Sequence, residues 1–229
     1  MPHLTNPFVG QSPPSGALFI GIGIKHVESR LPMTQHHVAL IYSAPGHECR
    51  LSQLEGDYKF VDCLWDGRSL WRGTPALDEV DMAVTIALLI DLNKSKPEIP
   101  YGFKSSGCTF KLDLATGDLK LSPDGPAVGL TCSTFICAVF RTLSLPLLVD
   151  AGWPSDRPED LAWVSGMVGL IRYGTERLFA MRGNVPDPRV RPEEVVSAFG
   201  RDQWPVDYSD VHAIAQEIVQ EVAAARLAH

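Results

Sequence analysis

Gly129-Leu130-Thr131-Cys132-Ser133-Thr134-Phe135-Ile136-Cys137-Ala138-Val139-Phe140 is the stretch whose reading decides the fold. It follows the turn-rich segment Ser122-Pro123-Asp124-Gly125-Pro126 and then becomes apolar at helical spacing. Cys132, Ile136 and Phe140 fall on one helix face, with Phe135, Val139 and Leu143 beside them. Thr131 reads as the N-cap, which places Cys132 in the first turn. Unpaired backbone N–H groups and the positive end of the helix dipole favour a thiolate there. The competing reading is a small buried core residue, the common fate of a cysteine. Only a base supplied from elsewhere in the chain separates the two.

Working outward, the best base is His37. His36-His37-Val38-Ala39-Leu40-Ile41-Tyr42 reads as a central strand, apolar on both faces. His37, Ala39 and Ile41 share one face. Small Ala39 would let the cysteine helix lie close over that face and bring thiol and imidazole together. His36 faces the other way, alongside bulkier Val38, Leu40 and Tyr42, and reads as a structural histidine. The ring of His37 needs a third polar group to fix its tautomer. Cys49 to Leu54 reads as the returning strand of a hairpin and offers Gln53, with His47 or Glu55 as alternatives.

The flanking elements describe an α+β chain. Ala17 to Lys25 is strand-like, and its Gly21 and Gly23 lack the third glycine of a dinucleotide fingerprint. Tyr58 to Leu64 suggests a further strand. Thr74-Pro75 looks like a helix start, continuing through Val80, Val84, Leu88 and Ile90 to about Asn93. Phe110-Lys111-Leu112 and Asp118-Leu119-Lys120-Leu121 flank Ala115-Thr116-Gly117 as a hairpin. Beyond Pro146 the pattern turns helical: Pro158 to about Tyr173, Pro192 to Phe199, and a long amphipathic Tyr208 to about Leu227. The apolar stripe of that last helix is expected to pack on its own domain, with a partner chain or a second copy as the alternative. The expected organisation is a domain over 1–150 and a helical extension over 151–229 packed on it.

Composition narrows the function. A chain of 229 residues with 45% apolar content can bury a full core. Net charge −7 and the lack of a dense Lys/Arg patch argue against nucleic acid. No apolar run reaches a membrane span, and the N-terminal residues lack a signal-peptide pattern. Five scattered cysteines without a CxxC argue against a zinc knuckle and for a reducing, cytoplasmic setting. A metal site of His36, His37 and His47 is disfavoured, because adjacent strand histidines point apart, and no cofactor motif is present. The tryptophans at 65, 71, 153, 163 and 204 read as core or interface anchors. The pocket is expected from the loops at about 26–36, 43–50 and 101–108.

The pattern His37-Val38-Ala39-Leu40-Ile41-Tyr42 resembles the histidine strand of the NlpC-type papain-like hydrolases. Thr131-Cys132-Ser133-Thr134-Phe135-Ile136 resembles their nucleophile helix. Histidine precedes cysteine here, an order similar to the circularly permuted branch that includes the lecithin–retinol acyltransferase-like proteins. The resemblance covers about residues 17–145. It implies an antiparallel sheet with a packed nucleophile helix, Cys132 as nucleophile, His37 as base and a polar third residue on the next strand. That third position is usually histidine in the family, so Gln53 would be a departure. It also implies an oxyanion site from the Cys132 N–H and one further donor, for which Tyr101 is the candidate. The implied activity is cleavage of a peptide or isopeptide amide through an acyl-enzyme, with acyl transfer as the same chemistry on another acceptor. The alternative from another class is a catalytically silent binding or immunity-type module with a protein partner.

Overall fold

The computed structural model describes residues 11–28, 34–103, 107–122, 129–149, 151–170 and 188–227. Five strands form one antiparallel sheet: β1 (Phe19–Val27), β2 (Gln35–Ser43), β3 (Arg50–Gly56), β4 (Lys59–Leu64) and β5 (Leu70–Gly73), in the order β4-β3-β2-β1-β5. The chain is therefore α+β. β1 and β2 pair along their whole length, Phe19 opposite Ser43 through Val27 opposite Gln35. β2 and β3 pair only at Leu40–Ser52, Ile41–Leu51 and Tyr42–Arg50. β5 closes the far edge on β1 and gave no sequence signal, being four residues long.

Helix α1 (Glu79–Ser95) follows the sheet, and the hairpin β6 (Thr109–Leu112) and β7 (Leu119–Ser122) forms a separate two-stranded sheet. Then come α2 (Cys132–Thr142), α3 (Pro158–Leu170), α4 (Pro192–Phe199) and α5 (Tyr208–Leu227). The turn-rich segment before α2 and the end expected for α3 at Tyr173 fall largely outside the described residues.

The start of α1 corrects the sequence reading. Thr74 Oγ1 accepts from the Ala76 N–H in a local turn, and the helix begins after Asp78, whose carboxylate accepts from the Asp81 N–H at 2.8 Å. Its buried face is Thr85, Ile86, Leu89 and Leu92, whereas Val80, Val84 and Ile90 are exposed.

The main core lies on one side of the sheet. Ile20, Ile22, Ile24, Val38, Leu40, Tyr42 and Leu54 meet Phe135, Ile136, Val139 and Phe140 of α2 there. Val195, Val196 and Phe199 of α4 and Val211, Ile218 and Val222 of α5 join the same cluster. The stripe of α5 thus packs on its own chain. Ala39, Ile41, Cys49 and Leu51 form a smaller cluster on the opposite face. The cysteine helix therefore covers the Val38–Leu40–Tyr42 face, and not the Ala39 face from which its contact with His37 was expected.

A second backbone contact sets the start of α2. Tyr101 and Leu130 form a parallel β-bridge, with the Leu130 N–H donating to the Pro100 carbonyl at 2.9 Å. The two chains approach so closely that a Cβ on Gly129 would lie 2.5 Å from Gly102 N, and one on Gly102 would lie 2.6 Å from Gly129 Cα. Backbone cannot give way as a side-chain tip can, so only glycine fits at either position. Gly129→Ala is expected to destabilise the protein by roughly 1–3 kcal/mol, the usual range for forced overpacking. Gly56→Ala, where nothing lies within 4 Å of the added carbon, serves as the control in the same urea titration.

Candidate active site

Local sequence fixes the nucleophile position. Thr131 has extended backbone (φ −89°, ψ 174°) and its Oγ1 accepts from the Thr134 N–H at 3.2 Å. The Thr134 hydroxyl accepts from the Thr131 N–H at 2.8 Å, completing a capping box. The cap takes the Thr134 N–H, so the N–H groups of Cys132 and Ser133 remain the open donors of the first turn. Behind them Phe135, Ile136, Val139 and Phe140 are fully buried and lock the helix axis against the sheet.

Cys132 reaches His37 through a gap in the sheet. Beyond Leu40 and Ser52 the β2–β3 ladder stops, although both strands continue. The first turn of α2 meets that opening. There the His37 side chain, the Val38 backbone N–H and the Ser133 side chain come close enough to act on the Cys132 sulfur. Burial by itself would push the Cys132 thiol up. The adjacent imidazole, by charge and hydrogen bond, together with the Val38 and Ser133 contacts, outweighs that cost and holds the thiol below its ordinary value. His37 shows the reciprocal balance. Burial would lower it, but the Cys132 sulfur and the hydrogen bond to Gln53 raise it above the ordinary imidazole value. The two opposite shifts have one source, each group favouring the charged form of the other.

The other ring nitrogen is engaged by Gln53, which is 3% exposed. His37 Nε2 donates to Gln53 Oε1 at 2.9 Å, which leaves Nδ1 as the nitrogen for sulfur. Gln53 Nε2 in turn donates to Glu55 Oε1 at 3.0 Å. His47, the weighed alternative to Gln53, lies in the turn between Ser43 and Arg50, at the end of β2 remote from His37. His36 turns away and pairs through Nδ1 with Glu193 Oε2 of α4 at 3.2 Å. Burial would raise that carboxyl, and the His36 imidazole more than offsets it, so the group stays below the ordinary range.

Cys132, His37, Glu55 and Tyr101 line one cavity of about 240 Å³. Tyr101 arrives there through its bridge to Leu130, steadied by its N–H donating to Asp57 Oδ1 at 2.7 Å. The opposite wall comes from Trp163 and Met167 of α3, Arg189 and Pro192. Arg189 lies over the Trp163 ring at 3.8 Å and pairs with Asp160 at 3.0 Å. Asp160 also holds Arg191, while Glu194 receives Arg157 and the Trp153 Nε1–H. These buried pairs bind α3 to α4 and so fix the wall.

Sequence reasoning missed that wall and the Val38 N–H. The expected 43–50 loop contributes nothing to the cavity lining, and the expected 26–36 and 101–108 loops contribute Val27, Gln35, His36 and Tyr101. Trp163 carried a signal only as a large aromatic near Arg and Asp residues. None of the five cysteines is in a disulfide, and two of the others differ from Cys132: burial pushes the Cys49 thiol up to about 11. Burial and nearby carboxylates also raise Cys63. Among the described residues no group of three His, Cys, Asp or Glu side chains is placed to hold a metal ion. Nor is any described helix long and apolar enough to cross a membrane. Compared with protein-family models, curated proteins and solved structures, the chain matches none.

Proposed function

We propose that the protein is a cysteine hydrolase that cleaves an amide, in a peptide or isopeptide, through an acyl-enzyme on Cys132. The observation carrying this reading is the meeting of the Cys132 thiol and the His37 imidazole at a helix N-terminus on a cavity wall, with their proton affinities shifted in opposite directions. The permuted papain-like resemblance supports the same pair.

In this mechanism the Cys132 thiolate attacks the substrate carbonyl carbon, forming a C–S bond and an oxyanion. The Cys132 N–H and Tyr101 donate to that oxygen. Collapse breaks the C–N bond, and His37 Nδ1–H passes its proton to the departing nitrogen. Water then attacks the thioester while Nδ1 takes its proton, and cleavage of the C–S bond restores the thiolate. An amine or alcohol in place of water makes the same enzyme an acyltransferase. The cavity lies below the ~300–1,000 Å³ typical of drug-sized ligand sites, which suits a short acyl portion with the leaving group outside. Five free thiols suit a reducing compartment such as the cytoplasm.

Alkylation of the native protein against pH tests the dyad. Because the Cys132 thiol is lowered, its labelling by iodoacetamide should rise at a pH below that of an ordinary thiol, and well below that of Cys49. His37→Ala should move the rise upward and slow labelling at neutral pH by at least about tenfold. Uniformly slow labelling of all five cysteines would remove the hydrolase reading and favour a silent binding module. A second expectation concerns the oxyanion donor. Tyr101→Phe should leave alkylation unchanged but slow acyl-adduct formation from an activated ester by about 100-fold, read by intact mass.

A further inference from the structure

We infer that Glu55 is a positioning residue that sets the proton arrangement of His37 through Gln53. This rests on the Cys132–His37 chemistry proposed above and adds a member that neither touches the sulfur nor reaches the imidazole.

The argument begins with the ambiguity of a glutamine. Its amide is nearly symmetric in shape but opposite in polarity at its two ends. With Oε1 toward His37, the ring must carry its proton on Nε2, and Nδ1 keeps a lone pair for the thiol proton. With the amide turned over, Nε2–H₂ of Gln53 would face the ring. His37 would then hold its proton on Nδ1 and offer sulfur no base. The turned amide would also oppose the imidazolium, whose Nε2–H would meet a second donor. A carboxylate or histidine in the third position has less of this problem; a glutamine needs an outside reference.

Glu55 supplies it. An ionised carboxylate only accepts, so its Oε1, 3.0 Å from Gln53 Nε2, admits only the donor end of the amide. The acceptor end is then forced toward His37, at 2.9 Å. Glu55 lies two residues after Gln53, at the point between Leu54 and Gly56 where β3 shifts register against β4. The other carboxylate oxygen of Glu55 is held by Lys59 Nζ at 2.5 Å, which fixes its direction. Gln53 is buried whereas Glu55 is partly exposed, its side chain at 32%. A variant at 55 therefore changes the polarity of the chain without opening the core.

The test uses the resting protein without substrate. Glu55→Ala should slow Cys132 alkylation at neutral pH by about three- to tenfold, the scale of one lost hydrogen-bond partner. In the Cys132→Ser background at about pH 8.5, where imidazole is neutral, ¹⁵N shifts should show His37 protonated on Nε2. Adding Glu55→Ala should bring in the Nδ1–H form. The exchange Gln53→Glu with Glu55→Gln restores an acceptor facing His37 and should recover the labelling rate to within about twofold of wild type. A reactive wild-type Cys132 whose rate and His37 tautomer ignore Glu55→Ala would overturn this inference and leave the hydrolase reading standing. An unreactive wild-type Cys132 would overturn the hydrolase reading itself. Loss of rate in Glu55→Ala without rescue by the exchange would assign Glu55 a merely structural role and also overturn the inference.

Discussion

The parting of β2 from β3 beyond Leu40 and Ser52 governs the rest of the site. A continuous ladder would occupy the Val38 N–H and close the gap over His37. With the ladder ended, that N–H turns to Cys132, and an imidazole on one strand meets an amide on the other. The helix axis lies over the Val38 face while the histidine belongs to the Ala39 face. Only the opening lets a side chain in the first turn of that helix serve a group on the far side of the sheet.

Two opposing costs decide the ionisation there. Burying a thiolate without a partner would cost several kcal/mol and keep the thiol protonated. The nearby imidazole, the Val38 N–H of β2 and the Ser133 side chain together offset that cost. Cys137, five residues on and buried at 4% exposure, shares the helix but not its first turn. Position along the helix, and not mere membership of it, separates the two cysteines.

The elements were legible where local chemistry was decisive. Thr131 as a cap, the strands around His37 and Gln53, and the β6–β7 hairpin follow from hydrogen-bonding side chains and periodicity within a few residues. Failures came where tertiary context ruled. Thr74-Pro75 carries helix-start chemistry, yet Thr74 closes a local turn and Asp78 caps the helix. Four-residue β5 has too short a pattern to announce itself. The juxtaposition of Cys132 with His37 was readable, but for a reason the structure reverses: periodicity places side chains on faces and says nothing about where a ladder ends. The wall from Trp163, Arg189 and Pro192 depends on buried ion pairs between α3 and α4, which sequence spacing does not encode.

A neutral third group has a physical consequence for the dyad. A carboxylate next to the imidazole would stabilise the imidazolium by direct charge, whereas Gln53 offers only an oriented dipole at 2.9 Å. The thiolate must then supply most of the attraction that holds the proton on His37. In the proposed acyl-enzyme the sulfur carries no charge, so that attraction would vanish and the ring would revert toward a neutral base. Neutral imidazole is the form deacylation needs, because it must accept a proton from the incoming water. Under the proposed function, the glutamine would thus tie the protonation of His37 to the covalent state of Cys132: acid while the thiolate is present, base once the thioester forms. In that proposed cycle, a Gln53 amide oriented by Glu55 would keep the basic nitrogen on the sulfur side through both halves.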